Sequence, residues 1–190
     1  MQIKIIKVGE LRTNCYIVFD EKTNEAIVID PGADIENILN ELKGLKPEQI
    51  VLTHGHYDHV TDAFLLKDKV DAQVLIHKDD EAMMQISTQK KADILLNDGD
   101  KVFLGGLAFL IISTPGHSRG SICLYSKEEN VLFSGDTLFA GDYGRVDLPQ
   151  SSPGAMIASL KKLLSLPLET KVFPGHGRTT TIRDEQNLIK

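Results

Sequence analysis

The sequence predicts an α/β fold, two β-sheets packed face to face with helices on their outer sides. Three observations point there. Short apolar strands come in runs, each run is followed by a helix, and this happens twice along the chain. No linker, low-complexity stretch or simple repeat interrupts the 190 residues, so one domain over residues 1–190 is expected. A three-layer α/β sheet satisfies the pattern nearly as well.

The elements follow in order. Residues 3–8, 14–19 and 25–29 are strands rich in Ile, Val, Phe and Tyr, bounded by Gly, Asn and Asp. A helix over 34–43 puts Ile35, Ile38, Leu39 and Leu42 on one stripe, with Asp34 as N-cap and Gly44 as its stop. Strand 50–53 precedes a helix over 61–67, and strand 73–76 precedes a helix over 78–91. "NDGD" and "LGGL" punctuate strands 101–104 and 108–113, and "SKEEN" turns the chain between 121–125 and 131–134. The clearest helix spans 153–166: Ser152 caps it, Pro153 opens it, and Met156, Ile157, Leu160, Leu163 and Leu164 share a face. Strand 171–173 follows.

Composition narrows the function. Hydrophobic residues at 42% supply a sizeable core, and the net charge of −6 gives no general attraction to nucleic acid or anionic membranes. The start "MQIKIIKVGE" reads as a strand rather than a secretory signal, and no apolar run approaches the ~20 residues that cross a bilayer. Cys15 and Cys123 sit apart in apolar segments, as buried free thiols of a reducing cytoplasm would.

The chemistry concentrates in "THGHYDHV", which spends three of six histidines within residues 54–59. His54 and His56 follow a strand end, where side chains two apart point the same way and reach one ion. Asp58 and His59 come as the chain bends toward a helix, so four donors in one turn suggest two adjacent ion sites. "STPGHS" sets His117 past a strand after Pro115-Gly116, and "KVFPGHG" repeats the device at His176. Proline ends the strand and glycine permits the tight turn. "VLFSGDTLF" puts Asp136 past another strand.

Seven donors exceed what one tetrahedral ion takes, and they fit two metals roughly 3.5 Å apart with a bridging carboxylate. Such ions bring the pKa of bound water down to ~7 and make a nucleophile without Ser or Cys. The thiolate-free donor set suits two divalent ions, zinc first, with iron or manganese also admitted.

"THGHYDH", "TPGHS", "SGDTLF" and "FPGHG", in this order and context, resemble the metallo-β-lactamase fold superfamily. "VIDPGA" and "TNCYIV" are similar to its opening strands. The resemblance spans essentially the whole chain and implies a four-layer αββα sandwich with a dinuclear site at one edge. It implies that His54, His56 and His117 hold one metal, that Asp58, His59 and His176 hold the other, and that Asp136 bridges them. Asp58 is counted among the catalytic residues as well.

"GDTLFAGDYGR" most resembles glyoxalase II-type hydroxyacylglutathione hydrolases and their short prokaryotic relatives. His56 stands where flavodiiron proteins carry a glutamate. The resemblance therefore implies a thioesterase that uses metal-bound hydroxide on a hydroxyacylglutathione or another small acyl thiol. A persulfide dioxygenase with one iron shares the "GDT" and "GR-x-D" patterns and is the alternative, ahead of a lactonase or nuclease. Three departures bear on the substrate. No C-terminal helical glutathione-binding domain of the family's kind is expected after His176, Tyr143 precedes Gly144-Arg145 where Cys is common, and "HVTDA" replaces "HVGG".

Tyr143 and Arg145 are candidate substrate contacts, with Tyr57 a further rim candidate. Arg145 and Asp147 are also spaced to pair as a structural salt bridge. His77 lacks the Pro-Gly setting and is expected to be a surface or packing residue, and Lys161 and Lys162 to face solvent. The expected partner is a small molecule, with neither nucleic acid nor membrane.

Overall fold

The computed structural model describes residues 1–189. Among the described residues, twelve strands form two six-stranded sheets. The first comprises β1 (Gln2–Val8), β2 (Thr13–Phe19), β3 (Glu25–Ile29), β4 (Lys46–Leu52), β5 (Gln73–His77) and β6 (Ile94–Leu96), in that spatial order. The second runs β12 (Thr180–Thr181), β11 (Lys171–Pro174), β10 (Val131–Gly135), β9 (Ile122–Ser126), β8 (Leu107–Ser113) and β7 (Lys101–Leu104). Both are mixed. β3, β4, β5 and β6 are mutually parallel neighbours, as are β10 and β11, while the remaining pairs are antiparallel.

Alternation along the strands builds four layers. Ile17, Val28, Ile50 and Val74 turn outward onto α1 (Ile35–Glu41), α2 (Tyr57–Val60), α3 (Ala63–Val70) and α4 (Glu81–Thr88). Their neighbours Val18, Ile27, Val51 and Leu75 turn inward and meet Val102, Phe109, Ile111 and Phe133 of the second sheet. That sheet's outer face packs Ile112, Cys123 and Leu132 against Met156, Leu160 and Leu163 of α5 (Pro153–Leu164). Strands covered on both faces must be apolar throughout, and β9 and β10 are buried at every position. The expected αββα sandwich is the observed one.

Several local expectations change. Asp34 holds the N-cap position of α1, but in the left-handed region at φ 59 and without a side-chain capping bond: its carboxylate accepts from the Gly9 amide instead (2.8 Å). The 78–91 helix divides into a 3-10 turn and α4, which Gln89 ends by turning left-handed at φ 55. The helix expected at 61–67 runs over Ala63–Val70, and the histidine motif itself carries α2. Strands β6 and β12 went unseen because three and two residues are too short to show a period. Ser152 does cap α5, its hydroxyl accepting from the Ala155 amide. No helix among the described residues is long and apolar enough to cross a membrane.

Candidate metal centre

Four strand ends converge at one edge of the sandwich. The loop after β4 carries His54 and His56 and runs into α2 with Asp58 and His59. The loop after β8 brings His117, the end of β10 brings Asp136, and the end of β11 brings His176. β10 and β11 are parallel neighbours, so Gly135 pairs with Pro174 and their following residues emerge side by side. Gly175 has no room for a side chain there, since a Cβ would lie 2.1 Å from Asp136 Oδ1 and 2.9 Å from His59 Cε1.

All seven predicted donors meet. His54, His56 and His117 form one group whose ligand atoms lie within 4.8 Å of one another. Asp58, His59 and His176 form a second, and His54, His59 and Asp136 a third between them. Asp136 faces both sides: Oδ2 is 3.5 Å from Nε2 of His117 and of His176, and Oδ1 is 3.6 Å from His59 Nε2. Asp58 Oδ2 stands 3.3 Å from Nε2 of both His59 and His176 and accepts from the Thr13 hydroxyl at 2.8 Å.

Polarity in this gap is uncompensated. His54 Nε2, His59 Nε2 and Asp136 Oδ1 are buried without a hydrogen-bond partner among the described residues. Buried polar atoms are nearly always paired, and an orphan costs about 1–3 kcal/mol. Three such atoms converging from two rings and a carboxylate are what a cation needs. The donor set therefore fits divalent metal ions.

The electrostatics agree. Burial, then the rings of His59, His117 and His56, push His54 well below the ordinary histidine range, so it presents a neutral lone pair. His56 is lowered by burial and by His117, whose Nε2 is 2.8 Å from His56 Nδ1. Burial opposes charge on His59 too, but Asp30 and then Asp136 outweigh it and hold the ring well above the usual value. His176 is raised likewise, by Asp58 and Asp136 against burial. Asp58 lies far below the carboxylate range: burial raises it, and the nearby His176 and His59 rings together with the hydroxyl of Thr13 overcome that.

Beside the donors lies a cleft of about 610 Å3 bounded by His56, Asp58, His117, Asp136 and His176 on one side. Leu11, Tyr57, Phe139, Tyr143 and Leu148 make apolar walls, and Arg145 stands at the mouth. Tyr57, Tyr143 and Arg145 thus border the cleft. The Arg145 guanidinium is held by Asp147 through two bonds of 2.7 and 2.9 Å, and its backbone carbonyl lies 2.9 Å from His117 Nδ1. His77 stands apart, buried against Ser113, and Lys162 pairs with Asp98 on the surface.

Sequence reasoning missed two carboxylates. Asp30 accepts from the Thr53 amide (2.7 Å), the Thr53 hydroxyl (2.6 Å) and His59 Nδ1 (2.9 Å). A usable signal existed, because Asp30-Pro31-Gly32 ends a strand as Gly135-Asp136 does. Asp80 accepts from the Gly55 and Gly120 amides. Nothing in "HKDDEAMM" distinguishes that residue from an ordinary helix cap. Leu11, Phe139 and Leu148 carry no local signal, since apolar rim residues look like any others.

Comparison with known proteins accords with this geometry. Residues 8–176 match the Metallo-beta-lactamase superfamily. The hydroxyacylglutathione hydrolase GloC of Haemophilus influenzae is 34% identical, over 98% of this chain and 95% of that protein. The solved structure of BLEG-1 B3 metallo-beta-lactamase is similar at a TM-score of 0.90 and 36% identity, covering 98% of this chain and 97% of that one. TTHA1623, solved in a di-iron-bound form, is similar at a TM-score of 0.84 and 38% identity, covering 96% of each. This chain belongs to the metallo-β-lactamase superfamily.

Proposed function

We propose that this protein is a dinuclear metal-dependent hydrolase of a small thioester, of the hydroxyacylglutathione class. The observation that carries the reading is the pair of three-donor groups joined by Asp136 beside a single cleft. The likeness to GloC supports the choice of a thioester. His54, His56 and His117 would hold one ion, Asp58, His59 and His176 the other, and Asp136 both. Zinc suits this oxygen and nitrogen set, as do iron and manganese.

When bound, two such ions supply Lewis acidity for activating water near neutral pH and for steadying charge on the attacked carbonyl oxygen. The chain's own residues do the rest. Asp30 and Thr53 hold His59 and His54 in one tautomer each, with Nε2 facing the gap. Asp58, ionised by its surroundings, adds negative charge on the His59 and His176 side. Leu11, Tyr57, Phe139, Tyr143 and Leu148 present apolar surface to the acyl and thiol portions. The reaction adds water across the carbon–sulfur bond and yields a carboxylic acid and a thiol.

The test is metal analysis of untagged protein coupled to a panel: a lactoylglutathione, a simple acyl thioester, a lactone, a β-lactam and glutathione persulfide. Two ions per chain with thioester cleavage is the expected result. One iron per chain with oxygen uptake on persulfide would replace the reading by a dioxygenase, and cleavage of the lactone or β-lactam alone would replace the substrate. His56→Ala and Asp136→Ala are expected to abolish turnover in a folded protein. An Asp136→Ala variant with full activity would sink the assignment.

A further inference from the structure

Asp80 stands at the N-terminus of α4, where an aspartate ordinarily accepts a hydrogen bond from its own helix. It makes no such bond. Its carboxylate is wholly buried and points instead at two other loops. Oδ2 accepts from the Gly55 amide at 2.9 Å and from the Ser118 hydroxyl at 2.6 Å, and Oδ1 accepts from the Gly120 amide at 2.6 Å. Gly55 separates His54 from His56, and Ser118 follows His117. One carboxylate therefore joins the two segments that carry all three imidazoles of the first group. Its hydrogen bonds reach neither Asp58, His59, Asp136 nor His176.

The steric record agrees. A Cβ on Gly55 would lie 2.8 Å from the Asp80 carbonyl oxygen and 2.8 Å from Met83 Cβ. A Cβ on Gly120 would lie 2.6 Å from the Asp80 nitrogen and 2.8 Å from its Oδ1. Both loops are pressed onto the start of α4, and glycine is what permits the approach at each. A buried carboxylate whose partners are all neutral donors is a costly way to pack a turn, because desolvating the charge is compensated only by those bonds. That cost is intelligible if the spacing it sets matters.

We infer that Asp80 is a positioning residue. It sets the separation between the His54–His56 loop and the His117 loop, and so the affinity of the first ion site. The inference rests on the two-ion reading above. Asparagine would break the arrangement with little change in volume, since either amide orientation sets an NH2 group against the Gly55 or the Gly120 amide. Outer partners of this kind change metal affinity by about 10–100-fold when lost.

The experiment titrates metal-free protein with Zn2+ against a chromophoric chelator, with circular dichroism of the metal-free forms alongside. Two backgrounds separate the ions: His176→Ala weakens the second group, and His117→Ala the first. Asp80→Asn is expected to weaken Zn2+ binding about 10–100-fold in the His176→Ala background and to leave it unchanged in the His117→Ala background. Equal losses in both, or none in either, would overturn the inference. Native protein that takes up fewer than two ions overturns the two-ion reading and the inference with it. Two ions in the native chain with an unaffected Asp80→Asn overturns the inference alone. Should Asp80→Asn not fold, Ser118→Ala removes one of the three bonds. It is expected to give a smaller loss confined to the same background, and an unchanged affinity there overturns the proposal.

Discussion

Asp30 Oδ2 lies 2.9 Å from His59 Nδ1, and both residues are sealed from solvent at 1% and 0% exposure. The same oxygen accepts from the Thr53 hydroxyl, whose oxygen in turn faces His54 Nδ1 at 3.1 Å. A single carboxylate thus orients two rings from different groups and leaves both Nε2 atoms facing the gap. Asp30 occupies the left-handed region at φ 53, which turns the chain away at the end of β3 while its side chain stays beneath the histidines.

Asp30→Asn should therefore cost metal affinity rather than fold. Its NH2 group facing His59 Nδ1 would move that ring's proton to Nε2, the atom an ion needs. We expect a loss of about 10–100-fold in Zn2+ affinity by chelator competition. An unchanged affinity would show that the tautomer does not depend on Asp30.

Loading the site should release protons. His59 is held well above its ordinary value of 6.5 in the metal-free protein, chiefly by Asp30 and Asp136 acting against burial. A raised histidine contributes stability to the metal-free fold that is full below about pH 6.5 and is lost as pH rises through the folded value. An ion taking Nε2 must displace that proton, so metal affinity rises with pH across this range. A pH-indicator dye should report proton release on adding Zn2+ at pH 7. Uptake of two ions with no proton released would remove His59 from the ligand set.

Gly175→Ala should disable the site while sparing the core. The new methyl would collide first with Asp136 Oδ1, His59 and the Gly135 backbone, none of which belongs to the three apolar clusters. Turnover should fall about 100-fold or more, the scale of an ångström-level misplacement. Gly154→Ala in α5 is the control, because a Cβ there meets nothing within 4 Å. It should leave activity unchanged and raise stability by about 0.5–1 kcal/mol. Equal activities of the two variants would refute the steric account.

Both thiols should be silent in the native protein. Burial raises Cys15 well above the ordinary thiol range and pushes Cys123 up to about 11, so neither forms appreciable thiolate at pH 8. Reaction with dithiobis(nitrobenzoate) is expected only after denaturation, when both titrate. Rapid labelling of either thiol in the folded chain would contradict the burial.

Much of the fold and the donor set was legible locally. Alternating apolar residues declare a strand, a Ser-Pro start and an apolar stripe declare α5, and Pro-Gly-His declares an imidazole projecting from a strand end. These are properties of a few consecutive residues, so a linear reading captures them. Asp34 takes the N-cap position it was read for, but its side chain braces the loop at Gly9, because an aspartate before a helix has two uses. Asp80 was missed for the same reason, and the very short strands β6 and β12 because nothing periodic fits in them.

By itself the sequence determined which donors exist, their order and their strand-end settings. It could not decide how far apart four strand ends lie, since that distance is set by sheet pairing and by the packing of two sheets across an apolar layer. Tertiary structure alone placed Asp136 between the two groups, put Asp30 beneath His59 and His54, and brought Asp80 against Gly55 and Gly120. These hydrogen-bonded residues, 25 to 40 positions apart, come within reach only through the packing of the sheets and loops around them.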